Sequence, residues 1–196
     1  MKNQSFDYIK KSVSMEIETL NKLYETIDRE SFSAAVDALK KSSLTVTSAC
    51  GSSSFAADKF AHALCCIEMP AKFVAPSNAV HGGMGAVKEG NTLVLVSRGG
   101  KTDELLSMAD IAKTKRATVI TVTAKPESSL GEKSDIILKI PDLPESDRYG
   151  VMSTTSFIST MSVFNALMVA LMEENEYKLS DFALIHPGGA VGKKLN

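Results

Sequence analysis

From Leu44 onward, short runs of β-branched and other apolar residues alternate with stretches whose apolar residues recur at helical spacing. No other feature limits the possible folds as much. The strand-like runs are Leu44–Ala49, Ala71–Ala75, Thr92–Ser97, Ala117–Thr123 and Asp135–Ile140, and helices are predicted near Phe55–Cys66, Asn78–Val87, Thr102–Thr114 and Glu127–Lys133. A strand with one wet face alternates apolar and polar side chains. Thr92–Val96 is instead apolar almost throughout, as a parallel strand covered on both faces requires. The pattern predicts an α/β fold: a three-layer α/β/α sandwich around a five-stranded parallel sheet.

Two helices precede this unit. Phe6, Ile9, Val13, Ile17, Leu20, Leu23 and Ile27 recur at steps of three and four, leaving the charges on the opposite face. A second helix is expected over Ser31–Lys41, with Ser31 or Ser33 as its cap. The reading is one domain over residues 1–196, with a helical arm at 1–42 and an α/β core plus C-terminal helix at 43–196. A chain of 196 residues, 44% hydrophobic, can bury the core this needs. The last long helix, about Thr154–Glu173, leaves almost no polar face, so a subunit interface, in a homodimer or homotetramer, is expected to cover part of it.

The formal net charge of −1 offers no electrostatic reason to expect nucleic acid or an anionic membrane as partner. Lys10, Lys11, Glu16 and Glu18 break up any signal-peptide core, and no apolar run is read as membrane-spanning, so a cytoplasmic location is expected. Cys50, Cys65 and Cys66 lack the spacing of a disulfide framework or a zinc site, and neither metal nor cofactor is expected.

Three of the strand runs lead into loops of Ser, Thr and Gly: Cys50-Gly51-Ser52-Ser53-Ser54, Ser97-Arg98-Gly99-Gly100-Lys101-Thr102 and, after a longer loop, Ser153-Thr154-Thr155-Ser156. Hydroxyls and free N–H groups at helix N-termini suit a phosphate dianion, and three such loops on the carboxyl edge of one sheet would form a phosphate pocket. Arg98 and Lys101 add two cations. Neither of the first two loops is a Gly-x-x-x-x-Gly-Lys-Ser/Thr P-loop or a dinucleotide fingerprint, which argues against ATP and NAD. Three histidines stand out. His62 sits within a helix beside Ala61 and Ala63, His81 precedes Gly82-Gly83 after the second strand, and His186 lies in Leu184-Ile185-His186-Pro187-Gly188-Gly189. Pro141–Gly150 carries Asp142, Glu145, Asp147 and Arg148, from which a carboxylate could enter the pocket.

Together these residues resemble the SIS (sugar isomerase) domain family, most nearly the arabinose-5-phosphate isomerases. Val80-His81-Gly82-Gly83-Met84-Gly85 is similar to the family's Ser-His-Gly-Asp-Leu-Gly. Asp181-Phe182-Ala183-Leu184-Ile185-His186-Pro187-Gly188-Gly189 and the following Ala190–Leu195 are also close to its pattern. The resemblance implies a flavodoxin-like SIS fold without the CBS domains of longer relatives. It also implies aldose–ketose isomerisation of a phosphosugar through an enediol. Carried over, Ser52, Ser53, Ser97 and Thr102 hold the phosphate, with Arg98 or Lys101 supplying charge. Glu145 moves the proton between C1 and C2, and His186 assists ring opening in its own or a neighbouring subunit's pocket. Glu104 and His81 match further active-site positions. The chain departs from the pattern where the isomerases read Gly-Lys-Ser-Gly and it has Gly51-Ser52-Ser53-Ser54. It departs again where they read Ser-x-Ser-Gly-Glu and it has Ser97-Arg98-Gly99-Gly100-Lys101. A non-catalytic phosphosugar sensor, a role also found in the family, is the alternative reading. The sugar itself is not specified by these residues.

Overall fold

Each strand-like run forms a strand, and all pair in parallel. A computed structural model describes residues 2–195. The strands are β1 (Thr45–Ala49), β2 (Ala71–Phe73), β3 (Thr92–Val96), β4 (Thr118–Thr123) and β5 (Ile136–Lys139), in the order β2-β1-β3-β4-β5. The central strands are buried along their whole length. Side chains alternate between two cores, as strand geometry requires. On β3, Val94 and Val96 face one layer while Leu93 and Leu95 face the other.

The first layer is built from α2 (Arg29–Lys41), α3 (Ser53–Cys65) and α7 (Thr155–Glu174), with α1 (Lys2–Thr26) packed outside on α7. Leu39, Phe60, Leu64, Val163, Phe164, Leu167 and Leu171 are buried here, and the Phe60 and Phe164 rings stack in parallel at 4.2 Å. The second layer comprises α4 (Pro76–Ala79), α5 (Asp103–Thr114) and α6 (Ser129–Glu132), with Leu105, Met108, Ala109 and Leu130 against the sheet. Two further helices, α8 (Leu179–Ile185) and α9 (Gly189–Leu195), follow α7.

Four details differ from the sequence reading. The helix expected over Asn78–Val87 is broken into α4 and a 3-10 turn at Gly83–Ala86, because Gly82 takes a left-handed φ of +106° between them. Asp28, not Ser31 or Ser33, caps α2: its carboxylate accepts the Ser31 N–H at 2.7 Å. His186 itself lies in the short connection His186–Gly188, flanked by α8 and α9, two helices the sequence reading did not include. Finally, α7 is long and apolar enough to cross a bilayer by length and composition. Its packing, with Phe164 on Phe60 and Val163, Leu167 and Leu171 buried among the sheet-facing residues, is that of a core helix.

Phe6, Ile9, Val13 and Ile17 of α1 are each about half exposed or more, so the apolar stripe read from the sequence is only covered at its end, near Leu23.

Candidate functional site

The winding of the sheet reverses between β1 and β3, and in such sheets the crevice outside the carboxyl ends of those two strands is the usual ligand site. Ala49 lies opposite Val96, so the chain leaves both strands at the same level. Cys50-Gly51-Ser52-Ser53 forms one bank of the crevice and Ser97–Thr102 the other.

On the first bank, Gly51 turns the chain with φ +56°. The Ser54 and Phe55 N–H groups donate to the carbonyls of Gly51 and Ser52. The N–H groups of Ser52 and Ser53 have no acceptor among the described residues, so two donors stand at the positive end of α3. On the second bank the Ser97 and Thr102 hydroxyls lie 3.0 Å apart, and the Gly100 N–H donates to Ser97 Oγ at 3.0 Å. Thr102 stands at the N-cap of α5 without using its hydroxyl as a cap. Lys101 is exposed and has no ion-pair partner among the described residues. Glu104, in the first turn of α5, is near Cys50: burial first and then the Glu104 charge push the Cys50 thiol up from its ordinary pKa. Ser52, Ser53, Ser97, Thr102 and Glu104 are thus gathered at one crevice. A cavity of about 410 Å³, lined by Gly99, Lys101, Lys125, Glu127 and Ser128, opens beside the second bank.

Glu145 is only 4% exposed. Its Oε2 accepts the Thr154 N–H at 2.8 Å, the Thr154 and Thr155 hydroxyls at 3.0 Å each, and the Ser156 N–H at 3.3 Å. Its Oε1 receives Arg98 Nη1 at 3.0 Å. The third hydroxyl loop therefore holds this carboxylate at the N-terminus of α7 and is not left open for a phosphate. Sequence reading missed that use, although an acid nine residues before a helix N-cap rich in hydroxyls is a signal of it. Burial pushes the Glu145 carboxyl up. The Ser156 hydroxyl, the Thr154 and Ser156 N–H groups and the Thr154 hydroxyl outweigh it and hold the group below its ordinary range.

Arg98, expected at the phosphate, has its guanidinium committed elsewhere. Besides Glu145 it donates to the Leu143 carbonyl at 2.8 Å and lies 3.9 Å from Asp142, which also pairs with Lys125. Farther along the same loop, the Asp147 carboxylate accepts the N–H groups of Tyr149, Val151 and Met152. That turn presents Tyr149, Val151 and Met152 bare to solvent.

His81 is exposed in the turn after α4, at the carboxyl end of β2. His186 is elsewhere. Its ring stacks on Phe182, Nε2 lies 3.8 Å from Cys66 Sγ, and Nδ1 is buried without a hydrogen-bond partner among the described residues. Cys66 ends α3 while Ser53 begins it, so α3 separates His186 from the crevice of its own chain by roughly 20 Å. His62, one turn before Cys66, lies in that same group. Among the described residues no cluster of His, Cys, Asp and Glu has the geometry of a metal site.

The family model described as "SIS domain" matches residues 38–170, more than half of the chain. This chain belongs to the SIS domain family. The matched segment includes both banks of the crevice, Arg98, Glu145 and the start of α7. The arabinose 5-phosphate isomerase KdsD of Yersinia pestis is 33% identical over 95% of this chain, and that of Francisella tularensis is 30% identical over 92%. The chain spans just over half the length of these curated relatives, 57% and 56%. Among solved SIS-fold structures, a Listeria monocytogenes protein assigned to the sugar-phosphate isomerases without an established activity superposes with a TM-score of 0.91. It is 34% identical over 96% of this chain and 99% of its own. The Escherichia coli CFT073 protein c3406, solved in complex with arabinose 5-phosphate, has a TM-score of 0.88 and 25% identity over 95% of this chain and 100% of its own.

Proposed function

We propose that this SIS chain is an aldose–ketose isomerase of a sugar phosphate, resembling the arabinose-5-phosphate isomerases. The observation that carries the proposal is a buried, ionised carboxylate, Glu145, paired at 3.0 Å with Arg98 of the second bank of a crevice built from free helix-terminal N–H groups and hydroxyls. In this reading the phosphate sits on Ser52, Ser53, Ser97 and Thr102, with the exposed Lys101 adding charge. Glu145 then takes the proton from C2 of the aldose and returns it to C1, or the reverse. The enediolate formed between the two transfers is stabilised by donors at the same rim. Glu104 and His81 stand on the α5 and β2 sides of the substrate. No metal or cofactor is assigned to the reaction.

His186 acts in trans in this reading. A helix length separates it from its own crevice, while Leu184 beside it, Phe55 in the first turn of α3, and Tyr149, Val151 and Met152 in the loop after Glu145 are all bare. Apolar surface on both pieces supports a homo-oligomer in which one protomer's C-terminal segment closes its neighbour's pocket.

The bonding of Glu145 also favours a second reading. A carboxylate that accepts four hydrogen bonds on one oxygen and an Arg on the other is a weak base, and a phosphosugar sensor needs no base at all. One experiment separates them. Purified protein is incubated with arabinose 5-phosphate and other aldose and ketose phosphates in heavy water, and deuterium at C1 and C2 is followed by NMR. The isomerase reading predicts incorporation with at least one sugar, abolished in Glu145→Gln while binding is retained. Thermal stabilisation by sugar phosphates without incorporation supports the sensor.

A further inference from the structure

The two oxygens of Glu145 are not equivalent. Oε2 is saturated by the N-terminus of α7, whereas Oε1 has one donor, Arg98 Nη1, and therefore an unused lone pair. If Glu145 abstracts a proton from carbon, Oε1 is the atom that does it. The residue that fixes Oε1 is a member of the phosphate-side loop itself, directly following Ser97.

Arg98 is itself held rigidly. Its carbonyl accepts the Ala124 N–H at 3.0 Å and the Thr123 hydroxyl at 3.1 Å, which ties its backbone to the end of β4. Its second nitrogen binds the Leu143 carbonyl, two residues before Glu145, so one side chain sets both the carboxylate and the backbone that carries it. The charged groups on this side are few. Arg98 comes from the loop after β3, and Asp142, on the Glu145 loop, is neutralised in part by Lys125 from the end of β4. α7 contributes only N–H groups and hydroxyls.

We propose that Arg98 is a positioning residue that aims Oε1 of Glu145 at the substrate carbon and couples that aim to the loop carrying Ser97 and Thr102. The proposal rests on the isomerase reading and assigns Arg98 a role other than holding phosphate. A fork of two parallel donors does this as no single ammonium can, since Nη1 and Nη2 fix the carboxylate and the loop backbone together.

The test compares wild type, Arg98→Gln and Arg98→Lys by two readouts. The first needs no substrate: the Glu145 side-chain carboxyl carbon, assigned by its loss in Glu145→Gln, is titrated by NMR in glutamate-labelled protein. Removing a cation in contact favours the neutral acid, so the titration moves to higher pH in Arg98→Gln and partly back in Arg98→Lys. The second is steady-state kinetics with the sugar phosphate that exchanges deuterium. Arg98→Gln lowers kcat by roughly 10²-fold with little change in KM, and the acid limb of the kcat profile moves to higher pH. Arg98→Lys recovers part of the rate. An unmoved carboxyl titration overturns the proposal at the ion pair. A moved titration with kcat unchanged, or a loss carried by KM alone, overturns it at the catalytic step. Wild-type protein that exchanges no deuterium while its carboxyl titration still depends on Arg98 rejects the isomerase reading itself and the role of Arg98 with it.

Discussion

Gly51 and Gly100 stand on the two banks of the crevice, both left-handed, with φ of +56° and +63°. A Cβ added to Gly51 meets nothing within 4 Å. At Gly100 it would lie 1.8 Å from Ser128 Oγ and 2.4 Å from Ser128 Cβ. Gly51→Ala therefore carries only the left-handed backbone cost, about 1–2 kcal/mol. Gly100→Ala carries the same cost plus that of forcing a group into filled space, about 1–3 kcal/mol more. Ser128 cannot simply turn aside. Its hydroxyl caps α6 by accepting the Gly131 N–H, and the Cβ contact is independent of its rotamer. In urea unfolding followed by circular dichroism, both variants lose stability and Gly100→Ala loses more. In Tm each kcal/mol corresponds to about 2–4 °C for a chain of this size. Gly100→Ala also displaces the N–H that fixes Ser97 Oγ, so it weakens sugar-phosphate binding beyond its effect on stability. Equal losses in the two variants, or a neutral Gly100→Ala, would refute the packing argument.

Truncating one member of the stacked pair, Phe164→Ala, removes the ring stack between α7 and α3 and is expected to cost about 3–5 kcal/mol in urea unfolding. Ser97→Ala and Thr102→Ala should each weaken binding of arabinose 5-phosphate in calorimetry while leaving affinity for a non-phosphorylated sugar unchanged. Glu145 is held below its ordinary pKa of 4.5, so its ionised form stabilises the fold above that pH, and the contribution is lost as pH falls through the depressed value. The stability difference between wild type and Glu145→Gln, measured by urea unfolding from pH 7 to pH 3, should accordingly shrink toward acid. A difference that grows toward acid would mean the carboxyl is raised instead.

The sheet was legible from the sequence because continuously apolar strands leave few alternatives to burial on both faces, and each strand is found within about two residues of its expected ends. The helix predicted across Gly82-Gly83 failed because apolar spacing is blind to a left-handed residue. The cap at Asp28 was missed because two serines nearby made equally good local candidates, and only the chain direction into α2 decides among them. At the site, Ser52, Ser53, Ser97 and Thr102 could be placed together because strand ends in a parallel sheet share an edge. The pairing of Arg98 with Glu145 joins residues 47 apart in sequence. No local pattern encodes which anion a loop arginine selects, so charge alone assigned it to the phosphate. His186 shows the same limit: a motif names the residue, while α3 sets its separation from the crevice.

The most direct measurement is an amide NMR titration of the protein with arabinose 5-phosphate, using inorganic phosphate as a second probe. Binding at the β1/β3 edge predicts that the largest shared perturbations fall on the amides of Gly51–Ser53 and Gly99–Thr102. Perturbations concentrated on other parts of the surface, with these loops silent, would contradict the account.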